Sequence, residues 1–167
     1  MGKEAPKDAM WNALSNKLIT PQVITSGGGA KSGVLNIQAG AGAYGALLEI
    51  QVGASGDTLS GSVKHTITLL EGDASDGSDA VLVADPMAVM GPAGVGKNAQ
   101  GGDFAAGVVA VIDAADEDDT TYAIQYHGTK PVVKLTITPS AGNTNGTPMS
   151  ATATLLNPRK QGAAENF

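Results

Sequence analysis

The sequence lacks cysteine, has few aromatic residues and contains no apolar run long enough to span a membrane. The absence of cysteine excludes disulfide bonds and thiolate metal sites. Aromatic residues make up 4% of the chain, so a core must be built mainly from aliphatic side chains. The first 18 residues have no apolar centre of the kind that signal peptides carry. We therefore expect no membrane partner, and a protein kept in a cytoplasm or assembled there into a larger particle.

Basic residues are also scarce, with 10 Lys and Arg against 16 Asp and Glu and a formal net charge of -6. A nucleic-acid-binding surface needs a basic face that displaces counterions from phosphates. We therefore expect no nucleic-acid partner. Glycine is abundant instead: the 23 glycines lie between apolar runs, which indicates many turns.

From residue 21 onward, short extended runs alternate with turns rich in Gly, Ser and Asp. Three runs show a clear period of two, which places these residues on one face of each strand: Val63, His65, Ile67 and Leu69; Tyr122, Ile124 and Tyr126; Val133, Leu135 and Ile137. No helix of crossover length lies between the runs. The pattern predicts an all-β fold, an antiparallel β-sandwich or jelly-roll-like body. We expect residues 127–130 to form a tight hairpin.

The expected organisation is one domain with a short extension at each end. Residues 21–160 form the β-sandwich domain, residues 1–20 an N-terminal arm and residues 161–167 a flexible C-terminal tail. Within the domain, residues 86–105 lack strand character. They predict a long loop, or two loops around a short extended piece.

The N-terminal arm carries an apolar stripe. Met10, Leu14 and Leu18 fall four residues apart, with Trp11 beside them. This spacing favours a short helix over residues 4–18, and a mobile tail is the alternative. Because Trp anchors well in a partner's pocket, we expect the stripe to contact a partner subunit.

The stretch GPAGVGKN, residues 91–98, comes close to a phosphate-binding loop. Gly91, Gly96 and Lys97 fit that pattern, whereas Asn98 stands where the magnesium-binding hydroxyl belongs. The glycines that follow are poor helix formers, and a phosphate loop needs a helix there. We interpret the stretch as a surface loop that packs against a neighbouring subunit, with Gly91 and Lys97 as contacts. An ATPase that uses this loop is the alternative, and otherwise no cofactor is expected.

Residues 73–79 and 113–119 are rich in carboxylates, which calcium prefers, but neither matches the spacing of an EF-hand. We interpret both as solvated turns, with weak calcium binding as the alternative. His65 and His127 are too few for a zinc site on their own, and no nucleophile-elbow pattern occurs. The sequence therefore indicates no catalytic or metal-binding residue, and we expect that the protein is not an enzyme.

Two blocks of the sequence resemble a known family. LLEIQVGASGDTLSGSVKHTITLLEGDASDGSDAVLVA and AVIDAADEDDTTYAIQYHGTKPVVKLTITPSAGNTNGTPMSATATLLNPRKQ are similar to strand-turn-strand segments of capsid decoration proteins of tailed bacteriophages, also called cement or head-stabilising proteins. The blocks cover about residues 45–85 and 108–161. No counterpart is assigned to residues 86–105.

The resemblance implies a structural virion protein on the outer capsid surface, assembled in the host cytoplasm. Its partners would be the major capsid protein and further copies of itself, as a dimer or trimer. A glycan- or receptor-binding module and a tail or adaptor component are the alternatives. The small number of aromatic residues argues against a glycan-binding module, which usually presents two or three of them on an exposed face.

Overall fold

The computed structural model describes residues 13–37 and 45–156, and this part of the chain is almost entirely β. The strands are β1 Ala13–Ile24, β2 Lys31–Asn36, β3 Gly45–Val52, β4 His65–Gly72, β5 Val81–Leu82, β6 Val89–Gly91, β7 Gly94–Val95, β8 Val108–Ile112, β9 Thr120–Tyr126, β10 Val132–Pro139 and β11 Thr147–Leu156. Single turns of 3-10 helix lie at Ser26–Gly28 and Pro86–Ala88. The predicted all-β class is confirmed.

The strands form two antiparallel sheets that pack face to face. Sheet A has the order β1-β11-β3-β9-β6-β7. Sheet B has the order β2-β10-β4-β5, and β8 pairs with the other half of β4 on the same side as β5. The predicted β-sandwich is therefore confirmed. β1 contacts β2, so these two strands lie on one side of the sandwich and β5 and β7 on the other.

Leaving out β5, β6 and β7, the strand order is β1-β11-β3-β9 in one sheet and β2-β10-β4-β8 in the other. Along the chain, successive strands of this set lie in opposite sheets, except for β4 and β8. Strands β5 to β7 are thus an insertion between β4 and β8. The insertion ends sheet B with β5 and extends sheet A beyond β9 with β6 and β7.

The core lies between the sheets and consists mainly of aliphatic side chains, as the composition predicts. The period-two runs place their apolar face inward: Ile67, Leu69, Leu135 and Ile137 are fully buried, and Ile124 and Val133 are 1% exposed. Burying one such side chain stabilises the fold by about 1.5–3 kcal/mol. Strands β3 and β11 follow the same alternation, so both sheets contribute to one continuous core.

The helix expected over residues 4–18 is wrong for residues 13–18, which are part of β1; the remainder lies outside the described residues. The sandwich domain accordingly includes residues 13–20, which we had assigned to the arm. A spacing of four residues does not distinguish a helix from a strand, because residues i and i+4 also lie on one face of a strand. A β-bulge lies between Lys17 and Ile19, and Leu18 and Ile19 both pack against the core. The backbone of Leu18 lies directly over Gly33 of β2, where no side chain would fit.

Residues 127–130 do not form the predicted hairpin, because they connect β9 of sheet A to β10 of sheet B. The buried side chain of Tyr126 fills the inside of this corner. Its hydroxyl lies against the α-carbon of Gly128 and accepts a hydrogen bond from the Lys130 backbone N–H at 3.3 Å. The same hydroxyl donates to Oε2 of Glu71 in β4 at 2.6 Å. The turn therefore folds around the tyrosine and links the two sheets.

Candidate interaction surface

The insertion β5–β7 carries most of the exposed apolar side chains in the described part of the chain. Seven large hydrophobic side chains are exposed there, and five of them fall within residues 81–95: Val81 65%, Leu82 46%, Met87 65%, Met90 37% and Val95 46%. The other two are Val23 and Val34. We call these five side chains the apolar edge, because β5 ends sheet B and β7 ends sheet A on the same side of the sandwich. The strand register places Met90 on the outer face of sheet A and Leu82 on the outer face of sheet B, so the apolar edge extends around this side of the sandwich.

The apolar edge is held by a two-residue β-hairpin. Met90 pairs with Val95 and Gly91 with Gly94, so Pro92 and Ala93 form the turn. Met90 and Val95 lie directly opposite each other, which places their side chains on the same face. β6 also pairs with β9 through Met90 and Gln125, and this pairing fixes the hairpin to the sandwich. The segment 86–105 therefore contains two short strands, β6 and β7, between loops.

Gly91 and Lys97, the contacts predicted in this segment, both lie beside the apolar edge. Gly91 ends β6 and packs against the backbone carbonyl of Asn98. The ammonium of Lys97 contacts Oδ1 of Asp103 at 2.6 Å, and this hydrogen bond holds the pKa of Asp103 below its usual range. The contacts of Gly91 and Lys97 with a neighbouring subunit stay predictions.

The geometry around Lys97 differs from that of a phosphate loop. Residues 97 and 103 form an isolated β-bridge, and no helix begins at Lys97. The Asn98 side chain accepts hydrogen bonds from the backbone N–H groups of Gln100 at 3.0 Å and Gly102 at 2.9 Å. The amides of this turn are thus directed at an asparagine oxygen, and Lys97 is directed at a carboxylate. This arrangement lacks the helix terminus on which phosphate binding depends.

Several carboxylates of the acidic segments bond to backbone groups of their own turns. Asp79 accepts from the N–H groups of Asp73 and Ala74, both at 3.0 Å. Glu117 accepts from those of Asp113 and Ala114 at 2.7 and 3.0 Å. These bonds close the turns without a metal ion. Among residues 13–37 and 45–156, no three His, Asp or Glu side chains are grouped so that they would hold a metal ion.

His65 belongs to a buried polar network at one end of the sandwich. Its Nε2 lies 2.9 Å from the Thr147 hydroxyl, which donates to the Ser55 hydroxyl at 3.0 Å. Burial lowers the pKa of His65, although the charge of Asp57 opposes the shift. His65 and Thr147 are both fully buried, so a substrate cannot reach this histidine–hydroxyl pair. The network joins β4 to β11.

Of the predicted N-terminal contacts, Leu14 and Leu18 lie in β1, and Met10 and Trp11 lie outside the described residues. Leu18 is partly buried against the core, so only part of its side chain is accessible to a partner. The described ranges contain no helix of the length and apolarity that a membrane crossing requires. Sequence reasoning missed the side chains of the apolar edge, although two methionines in a stretch rich in Gly and Pro are a usable signal.

Comparison of the chain with protein-family models, with curated proteins and with solved structures gave no match.

Proposed function

We propose that the chain is a capsid decoration protein of a tailed bacteriophage. In this role it binds major capsid protein subunits on the outer surface of the head and stabilises the shell. The block at 45–85 corresponds to β3–β5 and the block at 108–161 includes β8–β11, so the resemblance falls on the body of the sandwich. The strand order of that body supports a jelly-roll assignment.

The observation that carries the proposal is the apolar edge, whose Met87, Met90 and Val95 lie between the two blocks. Its five side chains are about half exposed, so burial against a partner would contribute about 1 kcal/mol each. One such contact is weak. A shell presents many equivalent sites, and an oligomer that binds several of them at once gains affinity without new contacts.

The charge and the polar contacts of the body agree with this role. Carboxylates in its turns bond to nearby backbone groups or, as in Asp103 and Lys97, to a neighbouring ammonium group. A net charge of -6 favours solubility before assembly. Within residues 13–37 and 45–156, most of the large exposed apolar side chains lie on the apolar edge, which makes it the candidate contact with a partner.

The test is binding to expanded heads of the phage that encodes the chain, prepared without it. We expect the wild-type protein to co-sediment with the heads and to raise the temperature at which they release DNA or disassemble. The variant Met87→Ser/Met90→Ser/Val95→Ser should bind at least ten times more weakly. The control Val23→Ser/Val34→Ser removes exposed apolar side chains elsewhere and should bind as the wild type does.

Heads that bind no protein, or that bind it without gaining heat resistance, would refute the proposed function. Equal binding by both variants would show that the apolar edge is not the contact. Imaging of the native particle separates this function from that of a tail or adaptor component, because it shows where the chain lies. Sedimentation of the free protein tests the expected dimer or trimer.

A further inference from the structure

A shallow groove crosses the outer face of sheet A at the end of its central strands. Its volume is about 340 Å³, near the lower limit for small-molecule sites. Four strands contribute to its lining: Gln22 from β1, Gln51 from β3, Thr121 from β9 and Ser150 from β11. The strand register places Ser150, Gln51 and Thr121 side by side in one row.

The groove offers neutral hydrogen-bonding groups of both kinds. The Ser150 hydroxyl donates to Oε1 of Gln51 at 2.5 Å, which occupies the amide oxygen and leaves the amide nitrogen as a donor. The Thr121 hydroxyl can donate and accept, and Asp119 adds a carboxylate acceptor. Exposed Pro21 and Pro148 supply rigid apolar walls.

We propose that this groove binds a neutral carbohydrate unit, a mono- or disaccharide, through Gln51, Thr121 and Asp119. Sugar hydroxyls donate and accept at closely spaced positions, which matches the amide, hydroxyl and carboxylate of the groove. The proline rings can pack against the C–H groups of a sugar ring.

Other ligand classes fit less well. An anion would meet the carboxylate of Asp119, and no basic side chain occurs among the described residues of the lining. An extended peptide gains its affinity from main-chain bonds at an open sheet edge. The groove instead lies over β11 and β3, whose backbones are paired on both sides.

Affinity should be low, because the described lining has no aromatic side chain on which a sugar ring could stack. We expect a dissociation constant on the order of 1 mM. The groove is distinct from the apolar edge: Thr121 lies four residues before Gln125, or about 13 Å along β9. Both surfaces can therefore be occupied at once, and this inference does not depend on the proposed function.

The experiment is an NMR titration of the isotope-labelled full chain with neutral hexoses, N-acetylhexosamines and their disaccharides. We expect at least one sugar to give saturable amide shifts centred on residues 51, 121 and 150. Gln51→Leu and Thr121→Val, which keep the size of each side chain, should each weaken binding at least fivefold. Gln125→Leu, on the same sheet but outside the groove, should leave the affinity unchanged.

Thermal unfolding of each variant separates loss of binding from loss of the fold. The inference is overturned if none of the sugars gives saturable shifts, or if folded Gln51→Leu binds as the wild type does. Tighter binding of inorganic phosphate or of a short extended peptide at these residues would also overturn it, since the groove would then serve another ligand class.

Discussion

The hydroxyl of Tyr126 should be one of the most valuable polar groups for stability. It donates to a carboxylate oxygen of Glu71 at 2.6 Å, and the rest of its side chain is fully buried. Removing it with Tyr126→Phe keeps the ring and deletes one charge-assisted hydrogen bond, which contributes about 1.5–3 kcal/mol. For a domain of this size, 1 kcal/mol shifts the melting temperature by about 2–4 °C. We therefore expect a decrease of about 3–12 °C.

The assays are thermal melting and urea unfolding at neutral pH. Tyr122→Phe is the matched control, because the Tyr122 hydroxyl donates at 2.7 Å to the uncharged backbone carbonyl of Glu117. A bond to a neutral acceptor contributes about 1 kcal/mol, so this variant should lose less stability. A double-mutant cycle of Tyr126→Phe with Glu71→Gln should give a coupling energy of about 1 kcal/mol or more. Wild-type stability of Tyr126→Phe, or zero coupling, would refute the reasoning.

Three further predictions concern pH and packing. Burial raises the pKa of Tyr122 to about 12, so the free energy of unfolding should fall as pH rises from 10 towards 12, and Tyr122→Phe should reduce that slope. Burial lowers the pKa of His65 from its usual value of 6.5. The free energy of unfolding should therefore be constant above pH 6.5 and should fall below pH 6.5, where the histidine of the unfolded chain takes up a proton. If His65→Gln lost stability between about pH 7 and pH 5 as steeply as the wild type does, this prediction would be wrong. Gly33→Ala should cost about 1–3 kcal/mol in urea unfolding, because its methyl group would collide with the Leu18 backbone, whereas Gly27→Ala faces open space and should unfold as the wild type does.

The alternation of apolar residues in the sequence predicted which side chains point inward, because a strand has a fixed period of two. Ile67, Leu135 and Ile124 were placed correctly for this reason. Alternation does not reveal which strands pair with each other. For this reason the hairpin predicted at residues 127–130 was wrong, since these residues connect the two sheets. A short polar segment between two clear strands favours a hairpin, whereas the decisive group is a tyrosine hydroxyl whose carboxylate partner lies 55 residues away.

The glycine-rich segment was predicted to contact a partner, and this stays a prediction. Three side chains of the apolar edge lie in it and two lie in β5, and the sequence did not single out any of the five. Met87 and Met90 are exposed because β6 and β7 extend sheet A beyond β9. The sequence does not reveal this, because the order of strands in a sheet cannot be read from the alternation of residues. The period of four in the N-terminal stripe misled the prediction for residues 13–18, because residues four apart share a face in a strand as well as in a helix.

The position of β11 between β1 and β3 has a consequence for how the protein folds during synthesis. This strand separates β1 from β3, so residues 13–24 have no neighbour in their own sheet until residues 147–156 have left the ribosome. Pairings of such sequence separation form slowly, since the ends of a long loop must meet first. Folding should therefore begin after translation of the sandwich is complete, and a nascent chain stalled before Thr147 should remain sensitive to protease.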